Sequence, residues 1–432
     1  MTLAHAEQTD HPSATWCILP WIHLFAGEVG ALRPCCMALE DPAMVNRDSQ
    51  GEPHVIYAED GIATAWNSDF MRSIRRELLA GQRPDACQRC FREEDLGVAS
   101  HRQSSNGAFA HHKDAVLRQT EADGHAPIEL IRSIDIRLGN RCNLRCRMCS
   151  PVSSRALLAE FASYHEVPTD DPRLTRLIGE DWVSKSHFQR TFAACVRHAE
   201  KLMFAGGEPL LVPEMEKMLR VVVDQGRAGG IDLEYVTNLT VLPERLFELW
   251  AHFRRVSFVV SLDGVGRVGE LIRHPLRWDR FDQNARTLDA RAASLPGAGL
   301  HANVTVQIYN VLHLDAVVDY VATALPHFGR PKLSLLFYPE HLSVRVLSPE
   351  LKVEATARLR ALAGRIRDRC PPQWQGAPME DLCASINGII EFINAQDRGD
   401  LLPEFQRWTR HLDQTRGEST LAILPELAPL LG

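Results

Sequence analysis

Asn140-Arg141-Cys142-Asn143-Leu144-Arg145-Cys146-Arg147-Met148-Cys149-Ser150-Pro151 is the stretch on which the reading of this chain turns. Its three cysteines have the spacing C-x3-C-x2-C. Three thiolates on one short loop can hold three irons of a [4Fe-4S] cube and leave the fourth iron without a protein ligand. An open iron takes an exchangeable ligand, which suits chemistry more than electron storage. Short cysteine runs also hold zinc. The stretch follows an apolar run over 131–138, which predicts a buried strand ended by Gly139 and Asn140. Loops at the C-terminal ends of strands carry the active sites of α/β folds.

Downstream, apolar strands and helices alternate. Strands are expected over 201–205, 233–238, 256–262, 302–308 and 333–337, with helices over 213–223, 243–253, 281–293 and 314–325. With the first strand this makes six βα-type units, hence an α/β fold with a parallel sheet. Polar residues collect where the strands end. Gly206-Gly207-Glu208-Pro209 follows the second strand, Thr237 and Asn238 the third, and Ser261, Asp263 and Gly264 the fourth. Arg273 comes soon after, and Asn303 and Gln307 lie on the fifth strand. Two glycines let backbone approach a neighbour closely. Hydroxyl, amide and carboxylate groups suit a polar ligand, and an arginine fork suits a carboxylate.

The cysteine loop, Gly206-Gly207-Glu208-Pro209 and the Ser261-x-Asp263-Gly264 turn, in that order, resemble the motifs of the radical S-adenosylmethionine (SAM) enzymes. The resemblance implies an open partial (β/α)6 barrel, a [4Fe-4S] cluster on Cys142, Cys146 and Cys149, and SAM chelated at the open iron. It also implies reductive cleavage of SAM to a 5'-deoxyadenosyl radical, fed by an electron donor such as flavodoxin or ferredoxin. Met148 stands where relatives often carry an aromatic residue against adenine, and its thioether can pack on a purine. The resemblance further implies SAM contacts at Gly206, Gly207, Glu208, Pro209, Thr237, Asn238, Ser261 and Asp263, with Arg273 pairing the SAM carboxylate.

Ahead of the barrel lies a second cysteine set. The run over 16–25 reads as a strand, Gly27 to Gly30 as a hairpin turn, and 31–37 as the returning strand, while 66–79 has helical periodicity. Cys17, Cys35, Cys87 and Cys90 supply four thiolates, enough for a closed zinc site or a fully ligated second [4Fe-4S] cluster. Gly30-x4-Cys35 and Cys87-x2-Cys90 resemble the auxiliary-cluster module called twitch or SPASM. That module more often follows the barrel. Neighbouring strand residues point oppositely, so Cys36 competes with Cys35 for one place, and the glycine spacing favours Cys35.

The chain has 432 residues, 45% of them hydrophobic and 24% charged, and a net charge of -7. Nothing in that balance marks a nucleic-acid surface, and no apolar run has the length of a membrane span. The polar N-terminus does not read as a signal peptide, so the expected setting is the reducing cytoplasm. There, eleven cysteines serve more readily as metal ligands than as disulfides. Cys195, Cys370 and Cys383 stand alone on expected helices, as small buried hydrophobes. The expected organisation is disorder over 1–15, the cysteine module over 16–99, and a polar, His-rich linker over 100–128. The barrel then spans 129–344 and helices fill 345–432, covering its open side. His111-His112 has no nearby ligand in sequence to complete a metal set. Tyr338, Pro339, Glu340 and His341 lie at the expected barrel mouth, as candidates for substrate contact or proton transfer. The resemblance to twitch- and SPASM-bearing enzymes implies a ribosomally made peptide substrate. A small sugar or amino-alcohol is the alternative, and no leader-binding segment is evident before Trp16. A non-enzymatic iron–sulfur or zinc scaffold would lack a SAM site.

Overall fold

Every second residue of the central strands is buried, and the residues between are half-buried or exposed, so each strand presents an apolar face and a more polar one. The computed structural model describes residues 13–38, 46–47, 53–54, 61–95, 100–175, 177–178, 181–368, 374 and 379–432. Residues 1–12, where disorder was expected, and Cys370 lie outside these. The chain forms two compact units, Met1–Ile136 with Asp181–Leu202, and Arg137–Glu180 with Met203–Gly432.

In the smaller unit, β1 (His23–Ala26) pairs antiparallel with β2 (Leu32–Arg33) through a turn that Gly30 N–H closes onto Gly27 O. A two-residue ladder joins β3 (Asn46–Arg47) to β4 (Pro53–His54). On its other side β1 runs parallel to β5 (Ser133–Arg137), His23 opposite Ser133. The run over 16–25 is therefore only half strand. Leu19–Ile22 is a short helix, because Pro20 in its first turn presets the helical φ and has no N–H to lose there. The helix expected over 66–79 is two helices, Ile62–Trp66 and Asp69–Leu79. Ser68 caps the second by accepting the Met71 N–H at 3.3 Å.

Residues 100–128 fold into this unit. Ser100 and Gln103 form a capping box for helix His101–Ala108. Val116 from the helix that follows joins a core of Trp16, Ile18, Trp21, Ile74, Leu78 and Phe91. The stretch 181–202 also belongs here and not with the barrel, as its Trp182 indole donates to Glu28 O at 3.1 Å.

In the larger unit, the end of β6 (Lys201–Ala205, in this unit from Met203), β7 (Asp232–Thr237), β8 (Arg255–Ser261), β9 (Gly299–Val306) and β10 (Lys332–Leu335) lie side by side in sequence order. The β7–β8, β8–β9 and β9–β10 pairs are parallel. Helices Pro213–Asp224, Leu246–Trp250, Trp278–Ala290 and Leu314–Ala324 make the crossovers, so the fold is α/β with an open parallel sheet. Tyr235, Trp250 and Phe258 pack together on the apolar face. Ser261 and Asn303 are register partners on the opposite, half-buried face. Helix Met379–Ala395 packs on β10, the outermost strand of the sheet.

Candidate active site

The cysteine loop leaves β5 and is held down by its own side chains and by distant ones. Asn140 is buried and donates to Ile178 O at 2.6 Å, and Ser154 Oγ donates to Leu144 O at 2.7 Å. The segment 271–274 lies against the loop. Arg147 N–H reaches Ile272 O at 2.8 Å, and Arg147 Nε reaches Leu271 O at 3.0 Å.

The two arginines between the cysteines reach toward the chain's last helices. Arg147 is fully buried and pairs with Asp413 at 2.7 Å and Glu418 at 3.0 Å. Trp408 Nε1 donates to Arg147 O at 3.1 Å. Arg145 and Arg416 share Glu160, at 2.6 and 2.7 Å. Helix Leu402–Arg416 is thus seated on the cysteine loop. Nothing in the sequence signals these partners except charge inside an otherwise packed loop.

The thiols meet hydrogen-bond donors. Leu144 N–H lies 3.4 Å and Asn238 Nδ2 3.6 Å from Cys142 Sγ, and Arg273 Nη1 lies 3.8 Å from Cys146 Sγ. Burial pushes the Cys142 thiol up to about 12, so without metal it keeps its proton. Cys149 is raised too, by its hydrogen bond with Cys146 and by burial. Iron must therefore displace protons as it binds. Donors aimed at sulfur favour metal-bound thiolate, and the loop fits a cluster on that ground. Met148 and Cys149 stay half-buried beside it.

Gly206 and Gly207 have φ of +76° and +48°. A Cβ on Gly207 would come within 2.5 Å of Arg141 O, and one on Gly206 within 2.9 Å of Arg137 Cα. The glycines thus let this turn pack directly on the start of the cysteine loop, and Glu208 N–H donates to Arg141 O at 2.9 Å. Pro209 opens a buried turn, Pro209–Leu211. The Glu208 carboxylate accepts from Thr237 Oγ1 at 2.7 Å, Asn238 N–H at 2.6 Å and Leu210 N–H at 3.1 Å. It joins the ends of β6 and β7. Asn238, Asn143 and Thr240, the last two not anticipated, form a hydrogen-bonded group beside Cys142.

Burial raises the Glu208 carboxyl to about 7, against the three bonds that favour its ionised form. The folded chain then holds this proton more tightly than the unfolded chain does. Its stabilising contribution is complete below about 4.5 and is lost as pH rises through about 7. Wild-type stability relative to Glu208→Gln is expected to fall across that window and to level off above it. Urea unfolding of both proteins at several pH values checks this, and a constant difference would contradict it.

Asp263 is fully buried. It pairs with Arg273 Nη2 at 2.6 Å and accepts Thr305 N–H at 2.7 Å. Arg273 therefore faces one carboxylate of its own chain and one cysteine sulfur. Gln307 is buried, and its Oε1 has no hydrogen-bond partner among the described residues. At the mouth, Tyr338 is 81% exposed, Glu340 pairs with Arg398, and His341 lies 3.5 Å from Glu404.

In the smaller unit, Cys17, Cys35 and Cys87 border one core. Burial pushes all four thiols up, Cys87 to about 12, and they oppose one another's ionisation: Cys87 and Cys90 act on Cys17, and Cys17 and Cys90 on Cys35. Backbone N–H groups act the other way, from Leu19 on Cys17, Met37 on Cys35 and Arg102 on Cys90. The structure thus gathers the four cysteines that the spacing grouped.

Residues 136–313 match the family model described as the Radical SAM superfamily. A GTP 3',8-cyclase from Chlorobaculum tepidum is 30% identical over 166 residues, 38% of this chain and 42% of that protein, so the chain spans under half the length of this relative. Streptococcus suis SuiB superposes with a TM-score of 0.34 at 12% identity, over 66% of this chain and 57% of that one. Native anSMEcpe with bound AdoMet gives 0.37 at 15% identity, over 54% and 60%. At these scores neither superposition bears on substrate or reaction. No helix among the described residues is long and apolar enough to cross a membrane. The stretch that holds the cysteine loop, the Gly206–Gly207 turn and the Asp263–Arg273 pair is thus the part of the chain that is similar to the Radical SAM superfamily.

Proposed function

We propose that the chain is a radical SAM enzyme with a second, auxiliary [4Fe-4S] cluster, acting on a ribosomally made peptide. The observation that carries the catalytic part is the cysteine loop itself. Three thiols sit on one loop, sulfur-directed donors surround them, and the Gly206–Gly207 turn is packed on the loop's first residues. Cys142, Cys146 and Cys149 would hold the cluster, which when bound and reduced would supply the electron for splitting SAM into methionine and a 5'-deoxyadenosyl radical.

The chain's own part is to seat SAM and aim it at one substrate hydrogen. Met148 offers the purine a half-buried thioether edge. Ser261 and Asn303 offer polar atoms on the open face of the sheet, since Thr237 and Glu208 are spent on each other. Arg273 supplies positive charge beside Cys146, with Asp263 fixing its direction.

The auxiliary cluster rests on Cys17, Cys35, Cys87 and Cys90. The resemblance of Gly30-x4-Cys35 and Cys87-x2-Cys90 to the auxiliary-cluster module is what favours the cube over zinc. The peptide substrate rests on the resemblance of this module to twitch and SPASM domains, and a flavodoxin- or ferredoxin-type donor completes the electron supply.

Anaerobically reconstituted protein with reductant is expected to release 5'-deoxyadenosine from SAM. The Cys142→Ala/Cys146→Ala/Cys149→Ala variant is expected to release none and to keep about four irons and four sulfides on the other set. Undiminished cleavage in that variant refutes the catalytic reading. Zinc without acid-labile sulfide in it refutes the auxiliary cluster alone.

A further inference from the structure

The adjacent histidines His111 and His112 end the short turn Ala110–His112, and the sequence around them offers no third ligand. The fold supplies one from 88 positions downstream of His112. Glu200 stands directly before β6, its N–H held by Arg132 O at 2.7 Å, and its carboxylate meets both rings. His111 Nε2 is 3.4 Å from Glu200 Oε2, and His112 Nε2 is 2.8 Å from Glu200 Oε1. The rings lie with centroids 4.1 Å apart, and one ligand atom from each of the three residues lies within 4.8 Å of the others. Among the described residues no other group of histidines, cysteines and carboxylates converges so closely.

We propose that His111, His112 and Glu200 form a divalent cation site of the zinc class, separate from both cysteine sets and independent of the reading of the radical site. Two imidazole nitrogens and one carboxylate oxygen are a zinc donor set that leaves a fourth position for water. Zinc bonds of about 2.0–2.1 Å place tetrahedral ligand atoms about 3.3–3.4 Å apart, the spacing of His111 Nε2 and Glu200 Oε2, while His112 Nε2 faces the other oxygen, Oε1. The His112 contact has to open by about 0.5 Å to match. His112 Nε2 supports this. It is buried and has no aligned hydrogen-bond partner among the described residues, although the carboxylate is at 2.8 Å. A cation between the two would satisfy both.

Two features make the site exchangeable. His111 is 61% exposed, so one side is open to water. Arg132 Nε lies 3.6 Å from Glu200 Oε1 and competes for the same carboxylate. A bound ion would tie residues 110–112 to the entry of β6, giving the smaller unit a cross-link that does not depend on sulfur.

Cobalt(II) is the probe, titrated into protein whose cysteine sites have been loaded with iron and sulfide. One equivalent is expected to give tetrahedral d–d absorption without a thiolate charge-transfer band. His112→Ala and Glu200→Gln are expected to weaken its binding tenfold or more, and Arg132→Gln to tighten it. Zinc is expected to raise the unfolding midpoint of the wild type and not of Glu200→Gln. Binding unchanged in all three variants, or absorption of thiolate type alone, means an adventitious ion only and overturns the site. Circular dichroism of each variant confirms that it is folded.

Discussion

Asp263→Ala is expected to lower the unfolding free energy by ~3–5 kcal/mol, because it leaves the buried Arg273 guanidinium without its carboxylate. Arg273→Ala should cost about as much, since Asp263 then stays buried against Thr305 without a counter-charge. The double variant should cost less than the two added together, because neither charge is then stranded. Denaturant unfolding of the three proteins gives the coupling directly, and simple additivity would show that the pair does not act as a unit. Arg273 also bears on SAM. Arg273→Lys should bind SAM more weakly than wild type, since a point charge cannot replace the fork. Arg273→Ala should bind about tenfold more weakly or worse. The sequence by itself would leave iron content untouched in these variants. The contact with Cys146 Sγ changes that expectation: iron should fall as well, and SAM affinity has to be read on fully loaded molecules.

The second large effect lies at the other end of the chain. Asp413→Ala together with Glu418→Ala is expected to destabilise the larger unit by ~3–5 kcal/mol, because Arg147 then sits fully buried without a counter-charge. Arg147→Met is expected to cost less than that, since Asp413 keeps Thr420 and Glu418 keeps His274 as partners and no buried charge is stranded. Hydrogen exchange at the Arg147 amide, which bonds Ile272 O, should speed up in the first variant and stay slow in the second. Equal losses in both would mean that the stem of Arg147, and not its charge, holds the loop.

Local pattern carried much of this architecture. The strand over 201–205 is where the apolar run put it, and the helices from 213 and 314 begin at the expected residues. Cys17, Cys35, Cys87 and Cys90 lie near one another, with Cys36 beside Cys35. What could not be read is what long-range pairing decides. Pro20 turned an apparent strand into a helix start, because tertiary packing favoured the φ that proline already holds. Glu208 looked like a ligand contact, yet its oxygens tie two strand ends, which no local signal shows. The partners of Arg145 and Arg147 lie far along the chain, and one sequence contains no record of such pairs.

The grip on Arg147 has a consequence for how the protein is made. Asp413 and Glu418 lie 266 and 271 positions after it. At about 5–20 residues per second, the ribosome needs roughly ten to fifty seconds to travel from the cysteine loop to those residues. Throughout that interval the nascent loop has its thiols but lacks the carboxylates that later pin it. Iron delivered then would meet three mobile sulfurs instead of a shaped seat. Cluster insertion is accordingly expected to follow the synthesis of Asp413 and Glu418, and the cell must keep Cys142, Cys146 and Cys149 reduced until then.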